Sequence, residues 1–355
     1  MKTPVLDQPE YIARYDKYAV LGVVASQPEQ LRHEFALGDL GDLSGVRQVV
    51  VAGMGGSALA AELVKTWLGE RLTVPMVIVR DYALPGFVGP QTLVMASSYS
   101  GNTEEALAAY EDAARRGAKM VVMAAGGELL EAARANGHAH LPLPQHHPHF
   151  DLPPGLQPRL AVWFGVKALA VLLEKAGLVR GAAAELAPTA DWLEGHLAQW
   201  GGGVPAAQNR AKQIAMELAG HPVVIYGGPR LAPAAMKWKI DLNENGKNLA
   251  FYNYFSELNH NEFTGWLHPL EHPFKVVELR SGLDNEQIQK RFDITNKLLA
   301  DRFTPIEVVA EGKTQLEQLL WTILLGDFVS AYVAFLNEID PTPVELIEKL
   351  KHELG

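Results

Sequence analysis

Short apolar runs alternate with amphipathic stretches along the first half of the chain. The apolar runs predict strands at residues 49–52, 76–79, 93–96 and 120–123. Helical patterns follow some of these runs, at 58–68, 104–116 and 158–176. Strands that alternate with helices are typical of βαβ units, so this half is expected to form a parallel sheet.

The same order of patterns restarts in the second half. Residues 223–228 repeat the apolar-then-glycine pattern of 49–55, and further strands are predicted at 274–279 and 306–309. Helices are predicted at 233–243, 285–299, 314–337 and 343–353. The repetition predicts a duplicated α/β domain, with mostly parallel, helix-flanked sheets of the flavodoxin-like, doubly wound type. The expected parts are an N-terminal extension (1–30), a first domain (31–180), a second domain (190–340) and a C-terminal helix (341–355).

Composition narrows the class of protein. Of 355 residues, 48% are hydrophobic and 20% are charged, which suits a globular chain, and the net charge of −10 argues against a nucleic-acid or anionic-membrane partner. The absence of cysteine excludes disulfides and cysteine-ligated metals. No secretory leader pattern is visible, and Asp327 within the apolar run 319–336 favours a buried helix over a membrane span. These features predict a soluble cytoplasmic protein.

The segment 97–105 is rich in hydroxyl side chains at a predicted strand-to-helix turn. Ser98, Ser100 and Thr103 surround Gly101, and two glutamates begin the helix. Hydroxyls and free N–H groups at a helix start can hold a phosphate without lysine. A simple helix cap is the alternative, but a cap needs one hydroxyl and this segment offers several. We therefore predict a phosphate-binding loop, called the serine loop below.

A glycine turn at 53–58, Gly-Met-Gly-Gly-Ser-Ala, follows the first predicted strand. It fits the dinucleotide fingerprint, but the acidic residue expected after the second strand comes late, at Asp81. Gly55, Gly56 and Ser57 are instead predicted to form a second wall of the phosphate site. A tight turn that only packs a helix on the sheet, and a nicotinamide dehydrogenase, remain open alternatives.

Two polar clusters lie in the otherwise apolar second half. Asn-Glu-Asn-Gly-Lys at 243–247 contains Glu244, and Leu-Asn-His-Asn-Glu at 258–262 contains His260. A carboxylate, a histidine and amides are the groups needed for proton transfer on a polyol. A solvated charge at a helix end is the alternative for Glu244, and a hydrogen-bonded structural histidine is the alternative for His260.

These motifs together resemble a known family. The serine loop and glycine turn are similar to the sugar isomerase (SIS) domain, and the clusters at 243–247 and 257–266, with Gln-Pro-Arg at 157–159, resemble the bifunctional phosphoglucose/phosphomannose isomerases. The resemblance implies that Glu244 is the base, that His260 assists ring opening, and that Arg159 stabilises the enediolate. It also implies a sugar phosphate substrate, no metal or other cofactor, and a homodimer in which His260 is donated to the partner.

The C-terminal helix carries a partial match to the same family. Thr-Pro-Val-Glu-Leu-Ile-Glu-Lys at 342–349 implies that Lys349 acts at the ring oxygen and that Thr342 permits mannose 6-phosphate. Lys351 competes for the lysine role, and because the two lysines point about 200° apart on a helix, only one can face the site. We prefer Lys349.

One alternative function and several departures from the family pattern also follow from the sequence. A non-catalytic sugar-phosphate-binding regulator with SIS domains would keep the serine loop but lack the Glu, His, Lys and Arg set.

Ser256 stands where the family pattern suggests proline, and Gly246 is expected to add flexibility beside Glu244. The proline- and histidine-rich segment 142–154 is interpreted as a solvated loop, with a metal site as the alternative.

Overall fold

The computed structural model of the chain describes residues 4–150, 152, 155–268 and 274–354. The chain divides into two compact units. The first unit is Ser26–Asp191, and the second unit combines Met1–Ala25 with Trp192–Gly355. The division therefore assigns the start of the chain to the same unit as its second half.

The strands form two sheets. In chain order they are β1 (Gln48–Ala52), β2 (Met76–Val79), β3 (Thr92–Ser98), β4 (Lys119–Ala124) and β5 (Ala139–Pro142) in the first unit, and β6 (Val223–Gly227), β7 (Ala250–Tyr254), β8 (Lys275–Arg280) and β9 (Ile306–Val309) in the second.

Helices connect and cover these strands. In chain order they are α1 (Pro9–Tyr15), α2 (Val20–Ala25), α3 (Gln27–Gln30), α4 (Gly55–Leu68), α5 (Glu104–Arg115), α6 (Gly127–Ala135), α7 (Val162–Lys175), α8 (Ala182–Leu197), α9 (Arg210–Leu218), α10 (Ala232–Glu244), α11 (Glu262–Gly265), α12 (Glu286–Leu298), α13 (Gln315–Leu336) and α14 (Glu345–Leu354). Short 3-10 turns add Pro158–Leu160 and Glu257–His260.

The first sheet is fully parallel, with strand order β2-β1-β3-β4-β5. Residues such as Val50 and Val94 pack with α5 and α6 in one apolar cluster. Val49 and Met95 point to the opposite face and are equally buried, so both faces of the sheet are covered. This is the flavodoxin-like order predicted from the sequence.

The second sheet repeats that order with one strand fewer, β7-β6-β8-β9, and is again parallel. Matching orders in the two halves confirm the duplicated α/β fold. In both sheets the loops that follow the central strands meet at the carboxyl edge, which is where open α/β sheets bind ligands.

Two strands were missed by the sequence prediction, and both lie at a sheet edge. In β7, Phe251 and Tyr252 are exposed, so no apolar alternation marks the strand. Strand β5 is only four residues long and ends in Pro142. The predicted helix 158–176 is also divided, because the 3-10 turn Pro158–Leu160 precedes α7.

The N-terminal segment is anchored to the second unit by buried polar contacts. The Tyr11 hydroxyl donates to the carbonyl oxygen of Phe335 at 2.9 Å. The fully buried Lys212 ammonium donates to the Leu6 carbonyl at 2.7 Å and pairs with Asp7 at 3.2 Å. An unsatisfied buried ammonium is costly, so these contacts hold the segment in place.

Helix α13 is the central helix of the second unit. It is long and apolar enough to cross a membrane, but 94% of its most apolar 18-residue window is buried inside the protein. A capping box begins it, because Thr314 accepts from the Glu317 amide at 3.1 Å and Glu317 accepts from the Thr314 amide at 3.0 Å. This is the burial expected of a core helix.

A buried ion cluster joins α10 to α13. The Lys237 ammonium donates to both oxygens of Asp241 at 2.5 Å and also to Asp327, and all three side chains are fully buried. Burial alone would lower the pKa of Lys237, but the two carboxyl groups outweigh it and raise that pKa. Burial raises the pKa of Asp241 well above its usual range, although the neighbouring Lys237 ammonium opposes that rise.

Close packing accompanies this cluster. A Cβ on Gly326 of α13 would lie 2.3 Å from Nε1 of Trp238 on α10, so only glycine fits there. The Trp238 indole N–H donates to the Thr322 carbonyl at 2.8 Å, which satisfies its buried donor. The two helices are therefore fixed in register by both ionic and steric contacts.

We expect Lys237→Met to lower the free energy of unfolding by about 3–5 kcal/mol, because it leaves two buried carboxyl groups without their cation. The measurement is urea unfolding of the full chain at neutral pH. Lys290→Met, at an exposed position on α12, serves as the control. A loss below about 1 kcal/mol, the range of a surface ion pair, would contradict this account of the cluster.

Candidate functional site

The glycine turn lies at the carboxyl edge of the first sheet. Strand β1 pairs with β3 so that Ala52 lies opposite Ala96, which brings Gly53 beside Ser97. A Cβ on Gly53 would be 2.5 Å from the Ser97 carbonyl oxygen, so glycine is required for this approach. Helix α4 then begins at Gly55 with no side-chain cap on its first turn.

The serine loop follows β3 and is held by its own hydroxyls. Ser98, which is buried, accepts from the Gly101 amide at 3.0 Å, and its Oγ is hydrogen-bonded to Thr103 Oγ1 at 2.8 Å. Ser100 is exposed, and its Oγ accepts from the Asn102 amide at 3.3 Å. The loop is thus shaped before any ligand binds.

These bonds bear on the choice between a helix cap and a phosphate-binding loop. Thr103 is the N-cap residue of α5, yet its side chain makes no capping bond to the helix and contacts Ser98 instead. The first-turn N–H groups of α5 are therefore not served by a capping side chain. Helix α4 also starts without a capping side chain. The N-termini of α4 and α5 therefore follow adjacent strands at one sheet edge, and uncapped helix N-termini are favourable places for an anion to bind.

The serine loop rests on a second glycine-rich turn after β4. Asn102 Oδ1 accepts from the Glu128 amide at 2.9 Å and so satisfies the start of α6. A Cβ on Gly101, whose φ is +77°, would lie 1.8 Å from the Gly126 carbonyl oxygen. In the sequence, Gly126-Gly127 after an apolar run marks this turn, but the contact between the turn and the serine loop was not predicted.

Arg159 lies directly beside the glycine turn. It is on the 3-10 turn Pro158–Leu160, and a Cβ on Gly56 would be 2.9 Å from the Pro158 carbonyl oxygen. The Arg159 side chain is 98% buried and donates to Gln157 Oε1 at 3.3 Å. The structure therefore places Arg159 at the same sheet edge as Ser57.

Buried Gln30 clamps this turn, which sequence inspection missed. Its Nε2 donates to the Leu160 carbonyl at 2.7 Å, and its Oε1 accepts from the Phe164 amide at 3.2 Å. Each bond joins residues more than 120 positions apart in the sequence, so no local sequence pattern predicts it.

Glu244 is the last residue of α10 and is half-buried. The next residue, Asn245, is fully buried and donates to Ser330 Oγ on α13 at 2.9 Å. Gly246 is packed against Val333, where a Cβ would come within 3.1 Å, and its carbonyl accepts from Asn337 at 2.9 Å. Close packing, rather than flexibility, is what Gly246 contributes beside Glu244.

The two predicted residues near the C-terminus lie in different surroundings. Thr342 is buried, with 4% exposed, and its amide donates to Asp340 Oδ1 at 2.9 Å. Lys349 lies on α14 and is exposed. Lys351 is in the same helix, and its side chain lies outside the described residues.

His260 is presented by an anchored turn. It ends the 3-10 turn Glu257–His260 and is exposed. Just before it, Asn259 donates to Thr295 Oγ1 at 3.0 Å, and just after it, the Glu262 carboxylate accepts from Asn253 Nδ2 at 2.6 Å and from the Tyr226 hydroxyl. The turn is thereby tied to α12, β7 and the central strand β6.

The Tyr226 contact is part of a small, partly buried network. Trp266 Nε1 donates to the Tyr226 hydroxyl at 3.0 Å, and burial, with Glu262 second, raises the pKa of Tyr226. Tyr226 therefore stays protonated and donates to Glu262. Glu262 and Trp266 were visible as parts of a motif, but their partner on β6 was not.

Comparisons with known proteins bear on both units. The SIS domain model matches residues 42–147, and the model described as the bacterial phospho-glucose isomerase C-terminal SIS domain matches 207–354. A bifunctional phosphoglucose/phosphomannose isomerase of Caldicellulosiruptor bescii is 34% identical over 94% of this chain and 98% of its own length. One of Aquifex aeolicus is also 34% identical, over 88% of this chain and 92% of its own length. The chain belongs to the bifunctional phosphoglucose/phosphomannose isomerase family.

Solved structures agree on the fold of this family member. A glucose-6-phosphate isomerase-like protein from Thermus thermophilus superimposes on this chain with a TM-score of 0.60. The superposition covers 99% of each chain, and the two sequences are 18% identical. At that identity the likeness shows the fold alone.

The turn after β6 at Gly227-Gly228, which matches the glycine turn at 53–58 in the other half of this isomerase-family chain, differs from it in one way. A Cβ on Gly228 would lie 1.9 Å from Oδ2 of Asp284, and Asp284 Oδ1 accepts from the Arg230 amide at 3.1 Å. Asp284 Oδ2 is buried without a hydrogen-bond partner, and burial raises the pKa of this carboxyl. An internal carboxyl group thus fills the turn, which leaves it unsuited to a phosphate.

The histidine-rich segment has contacts of its own. The buried His147 bonds through Nε2 to Ser26 Oγ at 2.6 Å, and His149 pairs with Glu29 at 2.7 Å. Burial, followed by the neighbouring His149, lowers the pKa of His147. No group of three or more metal-ligating side chains occurs within the described ranges, and residues 151, 153 and 154 lie outside them.

We expect Gly101→Ala to lower the free energy of unfolding by about 2 kcal/mol or more, because the new Cβ meets the Gly126 carbonyl and the left-handed φ disfavours alanine. Gly86→Ala is the matched control, since a Cβ there meets nothing within 4 Å. Thermal unfolding of the full chain measures both variants. Equal melting temperatures would show that the serine loop does not depend on this contact.

Proposed function

We propose that the protein is an aldose–ketose isomerase that interconverts glucose 6-phosphate, mannose 6-phosphate or both with fructose 6-phosphate. The observation that carries the proposal is the 34% identity, over nearly the whole chain, to a bifunctional phosphoglucose/phosphomannose isomerase. Retention of Glu244, His260, Lys349 and Arg159 supports it, because a regulator that only binds sugar phosphates does not need them.

The substrate phosphate is proposed to bind at the serine loop and the glycine turn. Its ligands are the hydroxyls and N–H groups of this edge: Gly55, Gly56, Ser57, Ser98, Ser100 and Thr103. The pre-formed loop and the absence of side-chain caps on α4 and α5 support this assignment. Binding energy from the phosphate then holds the sugar in place for the chemistry at its other end.

Proton transfer is assigned to four side chains. His260 and Lys349 open the hemiacetal ring by moving protons at O1 and O5. Glu244 takes the proton from C2, which leaves a cis-enediol(ate), and returns it to C1, while the O2 hydroxyl proton passes in net terms to O1. Arg159 stabilises the enediolate charge as it develops. No metal or redox cofactor is required for these steps.

A cis-enediol has no stereochemistry at C2, so one site can serve both aldoses. The proton reaches one face of C2 or the other according to rotation about the C2–C3 bond. We propose that the small, buried Thr342 leaves room for that rotation. Within the preferred assignment, Lys349 acts at the ring oxygen and Lys351 does not.

We further propose a cytoplasmic homodimer in which His260 is donated to the partner's site. Exposed apolar side chains in the second unit support an interface. Leu346 and Leu350 of α14 are 82% and 59% exposed, and Phe251 on the edge strand β7 is 48% exposed.

Glu244→Gln is expected to lower kcat for fructose 6-phosphate at least about 100-fold, because general-base catalysis typically contributes that much or more. The measurement is formation of glucose 6-phosphate, coupled to a nicotinamide-dependent dehydrogenase. Glu217→Gln, at an exposed carboxylate on α9, should keep wild-type activity. Full activity of Glu244→Gln would overturn the mechanism, and an inactive wild-type enzyme would overturn the proposed function.

Thr342→Gln is expected to reduce kcat/KM for mannose 6-phosphate about tenfold more than for glucose 6-phosphate, because the larger side chain restricts rotation about C2–C3. Thr342→Ser keeps the small hydroxyl residue and should preserve the wild-type ratio. Both ratios come from the same coupled assay run on each aldose. Equal losses on the two aldoses would exclude Thr342 as the determinant of mannose acceptance.

A further inference from the structure

Lys247 closes the helix that carries the proposed base, in a conformation that usually belongs to glycine. Its φ is +45°, in the left-handed region, and the Asn248 amide donates to the Leu242 carbonyl at 2.9 Å across the end of α10. Glycine is the common residue at such a position because a Cβ is disfavoured there. Lysine stands here in place of the usual glycine, and its side chain makes contacts that glycine cannot make.

That side chain bridges two separate chain segments. Lys247 Nζ donates to the Glu244 carbonyl at 2.7 Å, to the Pro341 carbonyl at 3.0 Å and to the Asp340 carbonyl at 3.3 Å. An ammonium group has three N–H donors, so these three carbonyls match its capacity. Its positive charge also suits the carboxyl end of α10, where the helix dipole is negative.

The second bridged segment leads directly into Thr342. Asp340 contributes its carbonyl to Lys247 and its carboxylate, at 2.9 Å, to the Thr342 amide. Pro341 and Thr342 are both buried, so the segment has little freedom to move independently. Through one ammonium, the backbone at Glu244 is held to the backbone that positions Thr342.

We propose that Lys247 is a positioning residue that sets the place of Thr342 relative to Glu244, and thereby the ratio of activity on mannose 6-phosphate to activity on glucose 6-phosphate. The inference rests on the proposed function. Lys247 itself touches no reacting atom in this account; it acts through the two backbone segments that it joins.

A simpler role would be that of a helix cap that only stabilises the fold. The two roles predict different kinetics. A cap that is lost lowers the melting temperature but treats both aldoses alike. A lost bridge lets Thr342 shift against Glu244, which changes kcat and changes the two aldoses unequally.

The test compares Lys247→Met with Lys247→Gly. Both variants remove the ammonium, and glycine suits the left-handed backbone, so Lys247→Gly keeps the turn even where Lys247→Met strains it. Lys290→Met on α12 is the control for loss of an exposed lysine charge in the same unit. For each variant, kcat and KM are measured for both aldoses, together with the melting temperature.

In both Lys247 variants we expect kcat to fall about tenfold with KM changed little, because a small displacement of catalytic groups costs turnover more than binding. The ratio of kcat/KM for the two aldoses should shift at least about threefold. A wild-type ratio in Lys247→Gly would overturn the inference, whether its kcat is normal or reduced equally on both sugars. The proposed function would still stand in that case, since it depends on wild-type activity and its loss in Glu244→Gln.

Discussion

The second unit depends on the buried ion cluster between α10 and α13. Lys237 holds Asp241 and Asp327 in a region with no solvent access, so its attraction is not weakened by water. The cluster lies one to two helical turns before Glu244 on α10. The position of the proposed base therefore follows from a contact in the core, continued by the bond from Asn245 to Ser330.

The first unit places two helix N-termini without side-chain caps at one sheet edge, where the phosphate is proposed to bind. Glycines at positions 53, 56 and 101 let the backbone approach Ser97, Pro158 and Gly126 closely. The Thr103 side chain does not cap α5 and is hydrogen-bonded to Ser98 instead. In the duplicated second unit, the Asp284 carboxyl group lies against the matching turn at Gly228 and occupies the place that the proposed phosphate takes in the first unit.

Much of the fold could be predicted because local patterns of apolar residues and glycines in the sequence mark its elements. The strands that are buried on both faces, such as β1, β3 and β6, read as apolar runs, and the glycine turns mark where they end. The edge strands β5 and β7 were missed because an edge strand needs no continuous apolar face. Glu244 and His260 stood out because polar clusters interrupt an apolar domain, whereas Gln30 and Tyr226 did not, since each is a single residue with a distant partner.

The sequence by itself determined the duplicated parallel α/β fold, the hydroxyl-rich loop after β3 and the side chains that are proposed to transfer protons, because each depends on residue type and spacing within a short stretch. Tertiary structure alone decided how those groups are held. The bonds from Lys247 to Asp340 and Pro341, from Tyr226 to Glu262 and from Gln30 to Leu160 join residues tens to more than a hundred positions apart. Such contacts form only when packing brings distant segments together, so no local pattern encodes them.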